Sequence, residues 1–218
     1  MERSSKIIAA GALLAGLAAF LVYLPALGNG FVNWDDHAYV YANEHIRSFD
    51  AWWLATAGVA GNWHPLTMLS FTADYAFWGD EPFGYHLVNN LLHAVNTSLV
   101  FLLAARLYAI RRGAGRGAMY AGVTAAVLFG LHPLHVESVA WVSERKDVLF
   151  FFFYALSVLS YLGYASAGPR SRGVKYAAAF LFGVLSMLSK PMAMSLPFVL
   201  LIIDLYPLGR LAGAKAIR

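Results

Sequence analysis

The sequence contains no cysteine, which excludes disulfides, thiolate nucleophiles and cysteine-held metals. It is also short of charge. Asp, Glu, Lys and Arg supply 13% of its 218 residues while 60% are hydrophobic, a balance too apolar for an ordinary soluble domain and expected of an integral membrane protein. It has no glycine-rich loop of the nucleotide-cradling kind, no Gly-x-Ser-x-Gly and no repeat of about 34 residues. The formal charge of +4 would suit nucleic acid. The basic residues lie instead in short clusters between apolar runs, as membrane orientation requires, so nucleic acid is set aside as a partner.

What the sequence does have is apolar runs. Residues 7–27, 83–110, 118–139 and 148–165 are each read as a span of a hydrocarbon core about 30 Å thick at 1.5 Å per residue. The first ends in Ala26-Leu27-Gly28, a small-x-small pattern of the kind signal peptidases cut, but it exceeds the usual signal-peptide core. Pro133 should bend the third. From Tyr176 to Leu208 the chain is apolar except at Lys190-Pro191 and Asp204. As one helix this stretch would reach about 50 Å. Arg170, Arg172 and Lys175 precede it and Arg210, Lys215 and Arg218 follow it, so it is read as two short spans, 175–189 and 192–208, with Lys190 at the turn.

The expected fold is thus an all-α integral membrane protein of about six transmembrane helices, a single module over 1–218. A large first outer loop, 28–82, carries interfacial helices near 49–59 and from Pro65 to Trp78, the latter stopped at Gly79. With six spans, twelve of the sixteen Lys and Arg residues fall on one side, placing both termini in the cytoplasm of a multi-pass cell-membrane protein. The other four are Arg47, Arg145, Lys146 and Lys190. On the second span His86, Asn90, His93 and Thr97 follow helical spacing with Asn89 and Asn96 beside them, a stripe that should face other helices or a water-filled cavity.

This arrangement places Asp35-Asp36, the His132-Pro-x-His135 turn, Glu144 to Asp147 and Lys190 on the extracytoplasmic face. Two adjacent carboxylates either cap a turn or do chemistry, and spacing alone does not choose. Cations held against the orientation bias suit an anionic ligand such as a lipid-borne phosphate; a Glu144, Arg145, Lys146, Asp147 salt-bridge network is the other reading. A carboxylate beside a phosphate clamp suits group transfer, one Asp taking a proton from an incoming hydroxyl. The second Asp would raise the first one's pKa, position the acceptor or hold a divalent cation. His132, His135 and Glu137 do not match the helical His-Glu-x-x-His spacing for zinc, so no metal is assigned to them and they are expected to hydrogen-bond substrate or neighbouring loops. His64 is open in the same way.

Taken together, Asn29-Gly-Phe-Val-Asn-Trp-Asp-Asp36, Asn62-Trp-His-Pro-Leu-Thr67, Gly84-Tyr-His-Leu-Val-Asn89, Leu131-His-Pro-Leu-His-Val-Glu-Ser-Val-Ala-Trp-Val-Ser-Glu-Arg-Lys-Asp147 and Ser189-Lys-Pro-Met192 resemble the amino-terminal membrane region of the transmembrane and tetratricopeptide-repeat O-mannosyltransferases and their bacterial relatives. The resemblance implies a GT-C glycosyltransferase that takes a sugar, mannose or a similar hexose, from a polyprenyl-phosphate carrier and passes it to a protein hydroxyl outside the cell. It implies that Asp35 or Asp36 is the catalytic base, with Asp35 favoured by analogy to related mannosyltransferases. Arg145, Lys146 and Lys190 would contact the carrier phosphate. His64, His86, His132, His135, Glu137, Glu144 and Asp147 would line the site. Family members continue through further spans and a repeat domain, so the chain is expected to be either a fragment or a short form of the module. Two other readings compete: a noncatalytic membrane scaffold that binds lipid, and a small transporter with the His86 to Thr97 stripe along its path.

Overall fold

A computed structural model describes the backbone of residues 2–211 and the side chains from residue 5 onward. Lys215 and Arg218, counted above among the cations after the last span, lie outside the described residues. Apart from one bridge between Val59 and Asn62, regular structure among the described residues is helical. Three stretches, 5–22, 82–112 and 142–165, are long and apolar enough to cross a membrane, and a fourth is if the bent pair 116–130 and 133–140 counts as one. Of the six expected spans, these three or four stand on length and composition. The last two are represented by α8 (Pro169–Ser189), whose first turns carry Arg170, Arg172 and Lys175, and by a shorter apolar stretch over 191–205 containing α9 (Leu196–Leu205).

The central element is α4 (Pro82–Arg112), which packs against α1 (Glu2–Val22), α5 (Arg116–Gly130) and α7 (Arg145–Ala165). Its polar stripe explains the packing. Where backbone is irregular at membrane depth, each free carbonyl must find a donor inside the protein. Asn90 Nδ2 donates to Phe20 O at 3.1 Å in the last turn of α1, and His93 Nε2 lies 3.0 Å from Gly130 O at the end of α5. Asn89 Nδ2 donates to Trp141 O at 3.0 Å and Asn96 Nδ2 to Val148 O at 2.8 Å. The stripe therefore fastens the helix ends around α4. Its residues are buried, Asn89 and Asn90 at 0% exposure, and much of their bonding capacity is used between helices.

The expected bend at Pro133 is present: α5 and the helix that continues through α6 (Val136–Ala140) meet at 52°. Close packing needs small residues where helices cross. A Cβ on Gly16 of α1 would lie 2.6 Å from the Ala94 carbonyl of α4, and Ser98 Oγ donates to Ala12 O at 2.8 Å across the same contact. Between α7 and α8, Ser157 donates to Ala179 O at 2.7 Å and Ser186 to Phe150 O at 2.8 Å.

Residues 28–82 fold rather than dangle. They carry α2 (Ala51–Thr56), capped by the Asp50 carboxylate on Trp53 N–H at 3.0 Å, and α3 (Pro65–Trp78). As read from sequence, α3 starts with Pro65 at its first position and stops at Gly79, whose φ of 58° favours glycine. Tyr39, Val40, Ile46, Met68 and Phe71 of this segment make a core with Tyr85 of α4 and Val142. The segment thus sits over the amino-terminal end of α4. Arg111, at the opposite end of α4, lies against the Tyr206 ring at 4.8 Å, which puts the end of α9 at that other, basic end.

Candidate active site

The five sequence motifs are joined at one end of the helices by specific bonds. Asp36 is fully buried. Its Oδ2 accepts the Val32 N–H at 2.8 Å, and its Oδ1 accepts the Ser143 N–H at 2.9 Å and the Ser143 hydroxyl. Both carboxylate oxygens thus accept bonds from the protein. Thr67 Oγ1 donates to the carbonyl of Ser189, the last residue of α8, at 2.9 Å. That bond holds Lys190 beside the start of α3, which His64 precedes.

Arg145 corrects an expectation. The resemblance implies a contact for a donor phosphate, but Arg145 is completely buried. One terminal nitrogen reaches Asp74 at 2.7 Å and the Tyr85 carbonyl at 2.9 Å, Nε donates to Asn89 Oδ1, and the guanidinium lies 5.2 Å from the Phe71 ring. Guanidinium geometry suits such a multidentate role. With its forks engaged by α3 and α4, Arg145 fixes the outer segment to the helices and leaves no fork facing a ligand.

The neighbouring charges form a network. Lys146 Nζ pairs with Glu144 at 2.7 Å and donates to Ser143 O at 3.1 Å. Lys190 Nζ pairs with Asp147 and stands 3.9 Å from the other Glu144 oxygen. Asp147 also accepts from Ser138 Oγ at 3.1 Å. The Lys146 ammonium lies 5.0 Å from the Tyr39 ring centre and 6.0 Å from the Trp141 ring. His64 stacks on Tyr39 at 5.2 Å and 13°. Burial, with the fields of Lys146 and Lys190, pushes its imidazole pKa down to about 4, so it is neutral at physiological pH. Burial pushes the Tyr39 phenol up to about 12, and the Asp35 carboxylate adds to the rise, which locates Asp35 on the Tyr39 side of this network.

Asp35 itself is half-buried and has neither hydrogen bond nor ion pair among the described residues. Two further polar atoms here are buried without a protein partner, His64 Nε2 and Trp141 Nε1. Buried polar groups are nearly always satisfied, so His64 Nε2 and Trp141 Nε1, both near the Lys146 ammonium, are positions that a water or a ligand would answer.

The remaining predicted residues divide. His135 sits beside Asp147 in a cavity shared with His93. His132 is exposed, its Nδ1 accepting the Leu134 N–H at 3.2 Å as a turn cap. Glu137 is exposed, and its side chain makes no hydrogen bond or ion pair among the described residues. His86 is buried near Gly30 and Asp36 of the first outer loop. No group of three His, Asp or Glu side chains placed to hold a metal ion is found among the described residues.

Comparison with known proteins bears on what this end of the molecule is. The chain is 36% identical over 201 residues to protein O-mannosyl-transferase Tmtc2 of Drosophila melanogaster, covering 85% of this chain and 20% of that protein. It is 40% identical over 164 residues to Tmtc1 of the same organism, covering 68% of this chain and 18% of that one. It is 28% identical over 231 residues to mouse TMTC4, 94% and 31% respectively. The chain belongs to the transmembrane and tetratricopeptide-repeat O-mannosyltransferase family. No family model and no solved structure matches it. The chain spans about a fifth of the length of the Tmtc2 and Tmtc1 relatives.

Within this family membership the motifs gain a physical account, since each quoted motif supplies one end of a bond just described. Residues missed from sequence are the other ends: Asp74, Ser143, Tyr39 and Trp141. Asp74 carried a signal, being the sole charged residue of α3. Ser143 and Trp141 carried none beyond their place in the 131–147 motif, and Tyr39 lies outside the quoted motifs.

Proposed function

We propose that this chain forms the donor-binding and proton-accepting part of a membrane glycosyltransferase. It would move a hexose, mannose or a close relative, from a polyprenyl-phosphate carrier to a protein hydroxyl on the extracytoplasmic face, with residues 1–218 acting as one GT-C-like module. The observation that carries the reading is the pair of buried, unanswered atoms beside Lys146, His64 Nε2 and Trp141 Nε1, with Lys190 joined to Lys146 through Glu144 and the half-buried Asp35 near Tyr39. Family membership adds that relatives are named protein O-mannosyl-transferases.

In this reading Asp35 takes the proton from the acceptor hydroxyl as its oxygen bonds to the anomeric carbon. The bond from that carbon to the phosphate oxygen breaks, and the polyprenyl phosphate leaves with the electron pair. Lys146 and Lys190 offset the charge that builds on the departing phosphate. Each ammonium has three N–H donors, and the protein acceptors described above do not use them all. His64, held neutral, and the Trp141 indole offer hydrogen bonds without adding charge. Asp36 acts on Asp35 only by position, through Val32 and Ser143. The extracytoplasmic orientation rests on the basic opposite end, with Arg111, Arg112, Arg116, Arg172 and Lys175.

The closed charge balance of Glu144, Lys146, Asp147 and Lys190 favours a second reading, a noncatalytic scaffold. The test is transfer of labelled mannose from polyprenyl-phosphate mannose to protein in membranes, comparing the native chain with Lys190→Met. The transferase reading expects transfer and an increase of at least tenfold in donor KM for the variant. No transfer above membranes lacking the chain sinks it.

A further inference from the structure

Behind the charge network, between α4, the α5–α6 bend and α7, lies a cavity of about 190 Å³. It is too small for a lipid tail, and small beside the roughly 300 Å³ at which drug-sized sites begin. At about 30 Å³ per water it has room for about six waters, the scale of one pyranose ring. Asp147 lines it, and the same carboxylate pairs with Lys190. The cavity therefore adjoins the place where the phosphate of a donor is proposed to sit, and in such a donor sugar and phosphate are one bond apart.

The walls have the mixed chemistry that a sugar presents. Phe129 and Phe151, stacked on each other at 5.0 Å and 25° with the His135 ring on Phe129 at 4.6 Å, form the cavity's apolar wall, the kind of surface against which the C–H groups of a sugar ring pack. Hydroxyl groups need hydrogen-bonding partners, and one is left open. Asn96 is 1% exposed and lines the cavity; its Nδ2 is held on the Val148 carbonyl at 2.8 Å, while its Oδ1 has no partner. The carbonyl fixes which end of the amide is nitrogen. Asn96 Oδ1 is thus an acceptor open to a ligand hydroxyl in the cavity.

We propose that this cavity seats the hexose ring of the donor, with Asn96 Oδ1 accepting a sugar hydroxyl and Phe129 and Phe151 lining its apolar side. The proposal rests on the transferase reading above and assigns its sugar subsite.

The experiment measures binding of polyprenyl-phosphate mannose and of unglycosylated polyprenyl phosphate to the full chain in detergent. The variants are Asn96→Leu, which removes the acceptor, and Met192→Trp, which fills the cavity from a residue 59% exposed and thus tolerant of change. The native chain should bind the mannosylated lipid at least tenfold more tightly. In both variants the two lipids should bind within about twofold of each other, with affinity for the bare polyprenyl phosphate unchanged. Preference for the mannosylated lipid surviving in Met192→Trp, or absent from the native chain, overturns the cavity assignment while leaving the phosphate clamp standing. If the native chain binds neither lipid, the transferase reading falls and the subsite with it.

Discussion

Asp36 and Ser143, 107 positions apart in the chain, are joined twice: the Asp36 carboxylate accepts both the backbone N–H of Ser143, at 2.9 Å, and its hydroxyl. This contact ties the loop bearing Asp35 to the turn bearing Glu144 and Lys146. It assigns the two adjacent aspartates different work, one holding and one free. Asp36→Ala should therefore lower stability by at least about 2 kcal/mol, because it strips a charged acceptor from buried donors, and Ser143→Ala by about 1 kcal/mol. Thermal unfolding in detergent reads both, and Asp35→Asn should leave the midpoint within a degree or so of native.

The buried Arg145 and Asp74 pair at 2.7 Å predicts an asymmetric mutant series. Removing one partner leaves an uncompensated interior charge at a cost of about 3–5 kcal/mol. Arg145→Met alone and Asp74→Leu alone should both express poorly and unfold early. The double variant should recover part of the loss, and unfolding of all three in detergent measures the recovery. A double variant worse than either single one would contradict the pairing.

His64 supplies a pH dependence. Its folded-state pKa, about 4, lies below the ordinary 6.5, so between those values the unfolded chain binds the extra proton. The stability His64 confers is complete above pH 6.5 and is lost as pH falls toward 4. Unfolding midpoints followed from pH 7.5 to 4.5 should fall more steeply for the native chain than for His64→Gln. Equal slopes would contradict the lowering of the His64 pKa by burial and by the fields of Lys146 and Lys190.

The absence of cysteine makes orientation directly measurable. Single substitutions Trp34→Cys, at a position 74% exposed, and Val174→Cys, at one 72% exposed, sit at opposite ends of the helices. In intact cells a membrane-impermeant maleimide should label the first and reach the second only after permeabilisation. The reverse pattern would turn the proposed site toward the cytoplasm.

Much of this was legible in the sequence, for identifiable reasons. The break at Pro133, the start of α3 at Pro65 and its stop at Gly79 follow from local backbone chemistry and are present as read. The polar stripe on α4 announced interhelical bonding. What spacing did not separate was adjacent residues of like charge. Arg145 and Lys146 open α7, where successive side chains diverge by about 100°, so one turns to Asp74 in the interior and the other to Tyr39. Asp35 and Asp36 part in the same way at the turn before His37. Which member of each pair is consumed depends on residues far off in the chain, Asp74 and Ser143, that no local pattern connects.

The central claim is that Asp35 accepts the proton while Asp36 holds the loop. Transfer from labelled polyprenyl-phosphate mannose should be compared in membranes for the native chain, Asp35→Asn and Asp36→Asn, with unfolding midpoints measured on the same preparations. The account predicts that Asp35→Asn lowers transfer by about 10²–10⁴, the usual contribution of a general base, at an unchanged midpoint, and that Asp36→Asn lowers midpoint and transfer together. Native-rate transfer by Asp35→Asn would contradict it.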